Sequence, residues 1–262
     1  MQVKCPICSL HLQLNGNQLV CKNHHSFDKA KQGYFHLDIT NKKSKGDDAL
    51  MVQGRIRFLN TGAYAFLKDK LNVLMQQYQV ESLLDYACGP GYYCQGMDVN
   101  DKIGIDLSKN AIKYAASHDS SSHYYVANGF HLPFFDNSFD CILVVFAPNS
   151  LEEFKRLLKP NGILVIVTPA ANHLIEIKKV LYKNVYTNTF QALSMPFHLV
   201  DNHVISQRVT MDQTMISDCF DMTPYRYKTS KEAIDKLHKI DQLNVTCEFN
   251  VSIYTLTLNE RN

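Results

Sequence analysis

The 262-residue sequence contains no apolar run long enough to cross a bilayer. Its longest, Cys141 to Ala147 and Ile163 to Val167, are strand-sized, whereas a spanning helix needs about 20 apolar residues. The opening stretch Met1-Gln-Val-Lys-Cys-Pro-Ile-Cys8 lacks the apolar core of a signal peptide. Internal repeats and low-complexity tracts are missing too. Net charge is small, +2 from 27 Lys/Arg against 25 Asp/Glu. These absences leave a soluble globular chain with one large domain, or a medium one with a small appendage. A cytoplasmic location without membrane contact is expected.

The small net charge hides an asymmetry. Residues 1–60 carry nine Lys/Arg and four Asp/Glu, a surplus of +5, and the remainder is −3. A basic amino-terminal end suits a polyanion, and it equally suits a lysine-rich solvated surface. The eight cysteines are also uneven, with three in the first 21 residues. Without a secretion signal, clustered cysteines point to metal and scattered ones to buried apolar positions.

Cys5-Pro6-Ile7-Cys8 is followed by Cys21-Lys-Asn-His-His25. Paired thiolate and imidazole ligands across a short excursion suit tetrahedral zinc. The excursion, Leu10 to Val20, alternates around Asn15-Gly16. A hairpin turning there would return Cys21 to the first pair. So small a unit buries little core, and metal would supply the missing stability. Cys5, Cys8, Cys21 and His25 are the expected ligands, with His24 as the rival for the fourth place. Four protein ligands make the zinc structural, because no open position remains for catalysis.

Residues 37–80 read as a basic linker followed by helices. Lys42, Lys43, Lys45, Arg55 and Arg57 are candidate phosphate contacts. One helix starts after Asp47 or Asp48, Gly62 breaks it, and a second runs from Tyr64 to Tyr78 with Leu67, Leu71, Leu74 and Met75 on one face. Ser82-Leu-Leu-Asp85-Tyr-Ala-Cys-Gly89-Pro90-Gly91 then reads as a buried strand meeting a tight turn. Strands are expected at Lys102–Asp106, His123–Ala127, Phe139–Ala147 and Ile163–Thr168, alternating with helices. Ser150-Leu-Glu-Glu153 reads as a capping box and Pro160-Asn-Gly162 as a turn. That order predicts an α/β, doubly wound, mostly parallel sheet. Further on, Val204–Thr210 reads as a strand, Lys231–His238 as a helix, and Asn244–Leu258 as one or two strands closing an edge.

Asp106 lies about twenty residues beyond the glycine turn, where an acid binds ribose hydroxyls. A dinucleotide would need a third glycine to cradle its pyrophosphate, and Cys94 stands there instead. S-adenosylmethionine has no phosphate, and its ammonium favours a carboxylate such as Asp85. Ala147-Pro148-Asn149, after the fourth strand, is expected to line the pocket for the acceptor.

These motifs resemble class I S-adenosylmethionine-dependent methyltransferases: Asp85-x-x-Cys-Gly-x-Gly91, Gly104-Ile-Asp106-Leu-Ser108, Leu132-Pro-Phe-Phe-Asp-Asn-Ser-Phe-Asp140 and Leu157-Leu-Lys-Pro-Asn-Gly162. The resemblance implies a Rossmann-like doubly wound sheet. Asn128 occupies the position where that class contacts adenine. Ala87 replaces its first glycine.

More narrowly, the chain resembles the RlmA family, zinc-containing 23S rRNA (guanine-N1)-methyltransferases. The match runs through Cys-Pro-x-Cys…Cys-x-x-x-His25, Phe27-Asp-x-Ala-Lys-x-Gly-Tyr34, Gly46-Asp47, Arg57-Phe-Leu-x-x-Gly-x-Tyr64, Ala147-Pro148 and Thr168-Pro169…His173-Leu. It thins beyond about residue 180. The resemblance implies that Tyr64, Gly89, Pro90 and His173 contact the cofactor and that the zinc unit helps recognise a hairpin loop of 23S rRNA. In that family the choice of guanine bears on macrolide resistance. The expected division is 1–36 for a zinc-ribbon-like β unit that recognises RNA, 37–80 for linker and helices, and 81–262 for the methyltransferase domain. A homodimer is left open, as are a small molecule or another RNA as acceptor.

Overall fold

Short strands with at most one buried side chain each build the amino-terminal unit in this computed structural model, which describes residues 3–40 and 48–256. They are β1 (Val3–Lys4), β2 (His11–Asn15), β3 (Gln18–Val20) and β4 (Ser26–Asp28), paired antiparallel in that order. The hairpin turns one residue later than Asn15-Gly16 predicts. Asn15 pairs with Gln18, so Gly16 and Asn17 are the two turn residues. Gly16 has φ +58° and Asn17 is not among the positive-φ residues, the arrangement that places glycine first in the turn. Leu12 and Leu19 are the buried positions of this hairpin.

The chain then adds β5 (Phe35–His36), α1 (Ala49–Asn60), α2 (Ala65–Gln77), β6 (Ser82–Tyr86), α3 (Tyr92–Gly96), β7 (Asp101–Asp106), α4 (Lys109–His118) and β8 (His123–Val126). It continues with β9 (Phe139–Val145), α5 (Leu151–Leu157), β10 (Leu158–Pro169), α6 (Ile175–Leu181), β11 (Phe197–Asp212), α7 (Gln213–Asp221), α8 (Lys231–Leu237) and β12 (Gln242–Leu256), with a single 3-10 turn at Pro224–Tyr227 before α8. Asp48 caps α1, its carboxylate accepting from Met51 N–H at 2.8 Å. Gly62 adopts φ +80° between α1 and α2, and α2 buries Leu67, Leu71, Leu74 and Met75 as its spacing predicts. The candidate lysines at 42, 43 and 45 lie outside the described residues. No helix of the described residues is long and apolar enough to cross a membrane.

One eight-stranded sheet runs β11-β12-β10-β9-β6-β7-β8-β5. Pairs from β10 to β5 are parallel, and β12 joins β10 and β11 antiparallel. Order reverses between β6 and β9, so their carboxyl ends open a crevice at the switch point. Period-two alternation sends Leu83, Leu143 and Val165 into one core, and Leu84, Ile142 and Leu164 into the other. Each buried leucine contributes about 1.5–3 kcal/mol.

Four sequence expectations change. Ser150 makes no side-chain cap; Glu153 instead accepts from Leu132 N–H at 2.8 Å and pairs with Arg156, which draws it out of a capping box. Pro160-Asn161-Gly162 sits within β10 as a register shift between Leu158 and Ile163, not as a free turn. Gln242–Leu256 is a single internal strand, and the longer β11 forms the edge. Within that strand Ser252 is buried, its hydroxyl donating to Asn202 at 2.7 Å. Finally, Phe35–His36, the end of the expected first unit, pairs with β8 in the large sheet.

The amino-terminal unit shares this core. Val3 bridges to Phe134, Lys4 N–H donates to Pro133 O at 2.7 Å, and Val3, Cys5, Leu12, Leu19 and Cys21 join the cluster around Phe134 and Leu84. Past the carboxyl end of β6, one glycine is both left-handed and crowded. Gly91 has φ +79°, and a Cβ there would meet Tyr124 Oη at 2.8 Å and Ala115 Cβ at 2.9 Å. Gly91→Ala is expected to destabilise the protein by about 1–3 kcal/mol. Gly62→Ala, with φ +80° but nothing within 4 Å, should cost less. Thermal unfolding of the two variants side by side checks the order.

Candidate functional site: a four-ligand cluster and a cofactor cavity

Two tight backbone reversals bring the cluster together. After β1, Cys5 N–H donates to Leu10 O and Ser9 N–H to Cys5 O. After β3, Cys21 N–H donates to His25 O and His24 N–H to Cys21 O. The ligand atoms of Cys5, Cys8, Cys21 and His25 all lie within 4.8 Å of one another. His25 Nδ1 is 3.5 Å from both Cys5 Sγ and Cys21 Sγ, and Cys8 Sγ is 3.6 Å from Cys21 Sγ. Tetrahedral zinc with bonds of about 2.0–2.3 Å needs edges of about 3.3–3.8 Å, so these atoms fit that ion. His24 lies at the exposed corner with φ +60° and is not in the cluster. Burial raises the Cys5 thiol. Burial also opposes ionisation at Cys21, but backbone hydrogen bonds from the His25 and Asn23 region, with the neighbouring thiols, bring it to about 7.

At the switch point lies a cavity of about 1040 Å³. Its floor is the turn after β6. Cys88 N–H donates to Ile105 O at 2.8 Å, Gly89 N–H to Asp106 at 2.9 Å, and Ser108 N–H to the other Asp106 oxygen at 2.7 Å. Asp85 is buried and accepts from Cys94 N–H at 3.0 Å. Burial pushes its carboxyl up to about 8, with the nearby Asp106 adding to that and the Cys94 N–H working against it.

Tyr64 and His173 meet on one wall, Oη to Nε2 at 3.5 Å, with Phe249 packed against both rings. His173 Nδ1 accepts from Glu248 N–H at 3.2 Å, which puts the ring proton on Nε2. Burial, aided by the Lys178 charge, lowers His173 to about 3. It is therefore neutral at physiological pH, with Nε2–H as its donor.

Of the seven expected cofactor residues, Tyr64, Asp85, Gly89, Pro90, Asp106 and His173 line the cavity. Asn128 does not: its Oδ1 accepts from Phe130 N–H at 3.0 Å, and its neighbours Ala127 and Gly129 form the wall. A Cβ on Gly129 would collide with the Tyr86 ring, which keeps that wall flat. Ala147 and Pro148 line the cavity with Phe146, and Asn149 does not.

Sequence reasoning missed the opposite wall, made by Asp48, Met51 and Arg55 of the α1 region with Tyr225 and Tyr227 of the 3-10 turn. Arg55 and Arg57 read alike as phosphate contacts, but two residues along a helix face different ways. Arg57 forms a bidentate pair with the buried Asp218 of α7. Arg55 faces the cavity, its guanidinium 3.5 Å from where a Cβ on Gly89 would stand. The arginine spacing was the available signal.

Two family descriptions match the chain: "RlmA, N-terminal" over residues 3–45 and "Methyltransferase domain" over residues 84–166. The chain belongs to the RlmA family. It is 28% identical to YxjB of Bacillus subtilis (strain 168), named as a candidate 23S rRNA (guanine-N(1)-)-methyltransferase, over 95% of each chain. It is 32% identical to the 23S rRNA (guanine(748)-N(1))-methyltransferase of Streptomyces fradiae, over 67% of this chain and 66% of that one. A solved Bacillus halodurans methyltransferase candidate overlaps 71% of this chain and 98% of its own, at TM-score 0.46 and 17% identity.

As an RlmA-family member the chain is an S-adenosylmethionine-dependent methyltransferase with a zinc ribbon. The cavity fits that cofactor. It combines a glycine turn, a strand-end acid, and a buried carboxylate to which no cation among the described residues is hydrogen-bonded.

A cation seated beside Asp85 requires the ionised carboxylate. Because the folded group titrates at about 8, above its usual 3.8, the stability linked to it is present at low pH and lost as pH rises through about 8. Ligand binding follows the opposite course. Affinity for S-adenosylhomocysteine is expected to rise between about pH 6 and pH 8, with proton release below about 8. Asp85→Asn should flatten that profile. Calorimetry in two buffers of different ionisation enthalpy measures it, and an affinity constant across this range would refute it.

Proposed function

We propose that the protein transfers a methyl group from S-adenosylmethionine to N1 of a guanine in a hairpin loop of 23S rRNA. The observation that carries this reading is the union, in one core, of a four-ligand ribbon and the cofactor cavity. The Bacillus subtilis and Streptomyces fradiae relatives support the substrate. In this reading Cys5, Cys8, Cys21 and His25 hold the zinc, Asp106 takes the ribose hydroxyls and Asp85 the ammonium. Tyr64, Gly89, Pro90 and His173 enclose the cofactor, and the Asn128 segment borders the adenine. Residues 1–36 serve RNA recognition, 37–80 connect, and 81–262 carry the chemistry, all in the cytoplasm; the reading needs no homodimer.

S-adenosylmethionine supplies an electrophilic methyl group. The protein's share is to align guanine N1 with that carbon and to keep water out. A base within a hairpin has to be turned out to reach the crevice. Phe130 and Phe146 stand at the cavity, 57% and 45% exposed, where a flipped base can stack. N1 carries a proton, and an oxygen has to receive it. Asp48 is the cavity carboxylate outside the cofactor floor. Hydrogen bonds from Met51 N–H and the Tyr227 hydroxyl keep it ionised, well within the acceptor state.

The deciding experiment is incubation with labelled S-adenosylmethionine and unmodified 23S rRNA, then nucleoside analysis. Label in 1-methylguanosine is expected. A small-molecule methyltransferase would leave the rRNA unlabelled, which would end this reading. Lys22, Lys29 and Lys31 are exposed on and beside the ribbon. Replacing all three by Ala should weaken rRNA binding and reduce its log–log salt slope by about 2–3. S-adenosylhomocysteine affinity should stay unchanged. A filter-binding salt titration checks both.

A further inference from the structure

The cofactor cavity contains a polar atom that none of the expected contacts uses. Tyr93, in the first turn of α3, lines the cavity and is more than nine-tenths buried. Its hydroxyl has no hydrogen-bond partner among the described residues. A buried hydroxyl is retained at such a place only if something completes its bonding. The charges that act on it come from Asp85 and from Arg55 across the turn.

Arg55 reaches this place from α1. It is half-buried, lines the cavity, and lays its guanidinium over Gly89. A side chain at Gly89 would crowd it, with a Cβ 3.5 Å from Nη1. Arg57, two residues on, fixes the helix by its bidentate grip on Asp218, and Gly54 lets α1 approach α7, a Cβ there meeting Asp221 at 3.2 Å. The helix is thus held with the Arg55 side facing the turn.

The cavity lining therefore presents a buried carboxylate, a guanidinium and an unpaired phenol. That set complements an α-amino-acid zwitterion: an ammonium for Asp85, and a carboxylate for the two donors Arg55 and Tyr93. A guanidinium beside a neutral hydroxyl is a strong, geometrically selective carboxylate site. Elsewhere in the lining, Asp106 and the Ala127–Gly129 wall supply the acid and the flat surface for a nucleoside.

We propose that Arg55 and Tyr93 bind the α-carboxylate of the cofactor's methionyl end, so that the α1 region contributes directly to cofactor selection. The proposal rests on the S-adenosylmethionine reading above. It makes the protein discriminate between the whole amino-acid nucleoside and its truncated form.

The test is calorimetry on the full-length protein with S-adenosylhomocysteine and with 5′-methylthioadenosine, which lacks the amino-acid end. Arg55→Gln and Tyr93→Phe should each weaken S-adenosylhomocysteine by about 10- to 100-fold and leave 5′-methylthioadenosine unchanged. Tyr93→Phe removes only an unpaired hydroxyl, so its melting temperature should not fall. If Arg55→Gln does not fold, Tyr93→Phe decides alone. Unchanged S-adenosylhomocysteine affinity, or a parallel loss for both ligands, would overturn the proposal. Failure of the unaltered protein to bind either ligand would instead overturn the cofactor reading on which it stands.

Discussion

Where β6 leaves the middle of a parallel sheet, the backbone has to reverse above two strand ends without a side chain in the way, and two carboxylates hold that reversal. Ala87, Gly89 and Gly91 all have positive φ, at 55°, 54° and 79°. Each non-glycine residue in that region costs on the order of 1 kcal/mol. Asp106 offsets this by binding the amides of Gly89 and Ser108, one on each oxygen, and Asp85 by accepting from Cys94 N–H. The shape of the cofactor floor is thus set by intramolecular hydrogen bonds. Asp85 carries the electrostatic consequence, since its burial disfavours its own charge.

The same constraint explains what could be read from the sequence. Asp85 and Asp106 stand at strand ends, and both strands are short, apolar and bounded by turn residues, so spacing alone located the floor. The metal cluster was legible for a similar reason: thiolates and an imidazole have few other uses at such spacing. Leu67, Leu71, Leu74 and Met75 were legible because helical period and burial agree.

What escaped depended on contacts between distant segments. Arg55 and Arg57 carry identical chemistry, and only Asp218, 161 residues after Arg57, separates their roles. Glu153 has the spacing of a capping residue, but the Leu132 amide and Arg156 compete for it and win. The edge role expected for the last strand was lost because β11, a segment read only in part as a strand, pairs with β12 along its whole length and leaves the polar Asn250 and Ser252 buried. The turn at Gly16-Asn17 differs from the expected dipeptide by one residue, the least secure feature of any hairpin read from composition.

The ribbon and the cavity are linked twice, and the two links differ in kind. On one face of the sheet, Val3 and Phe134 join the ribbon to the main core through apolar packing and a bridge. The α1 region, which follows β5 in the element order, lines the cavity through Asp48, Met51 and Arg55. The position of that wall is nonetheless determined by the last third of the chain. Gly54 lets α1 approach α7, and the pair between Arg57 and the buried Asp218 fixes the helix rotation that turns Arg55 inward. A charge pair with one partner buried is costly to break from either side, because the survivor is left desolvated. The carboxyl-terminal segment, where sequence resemblance is weakest, therefore sets which α1 residues line the cavity.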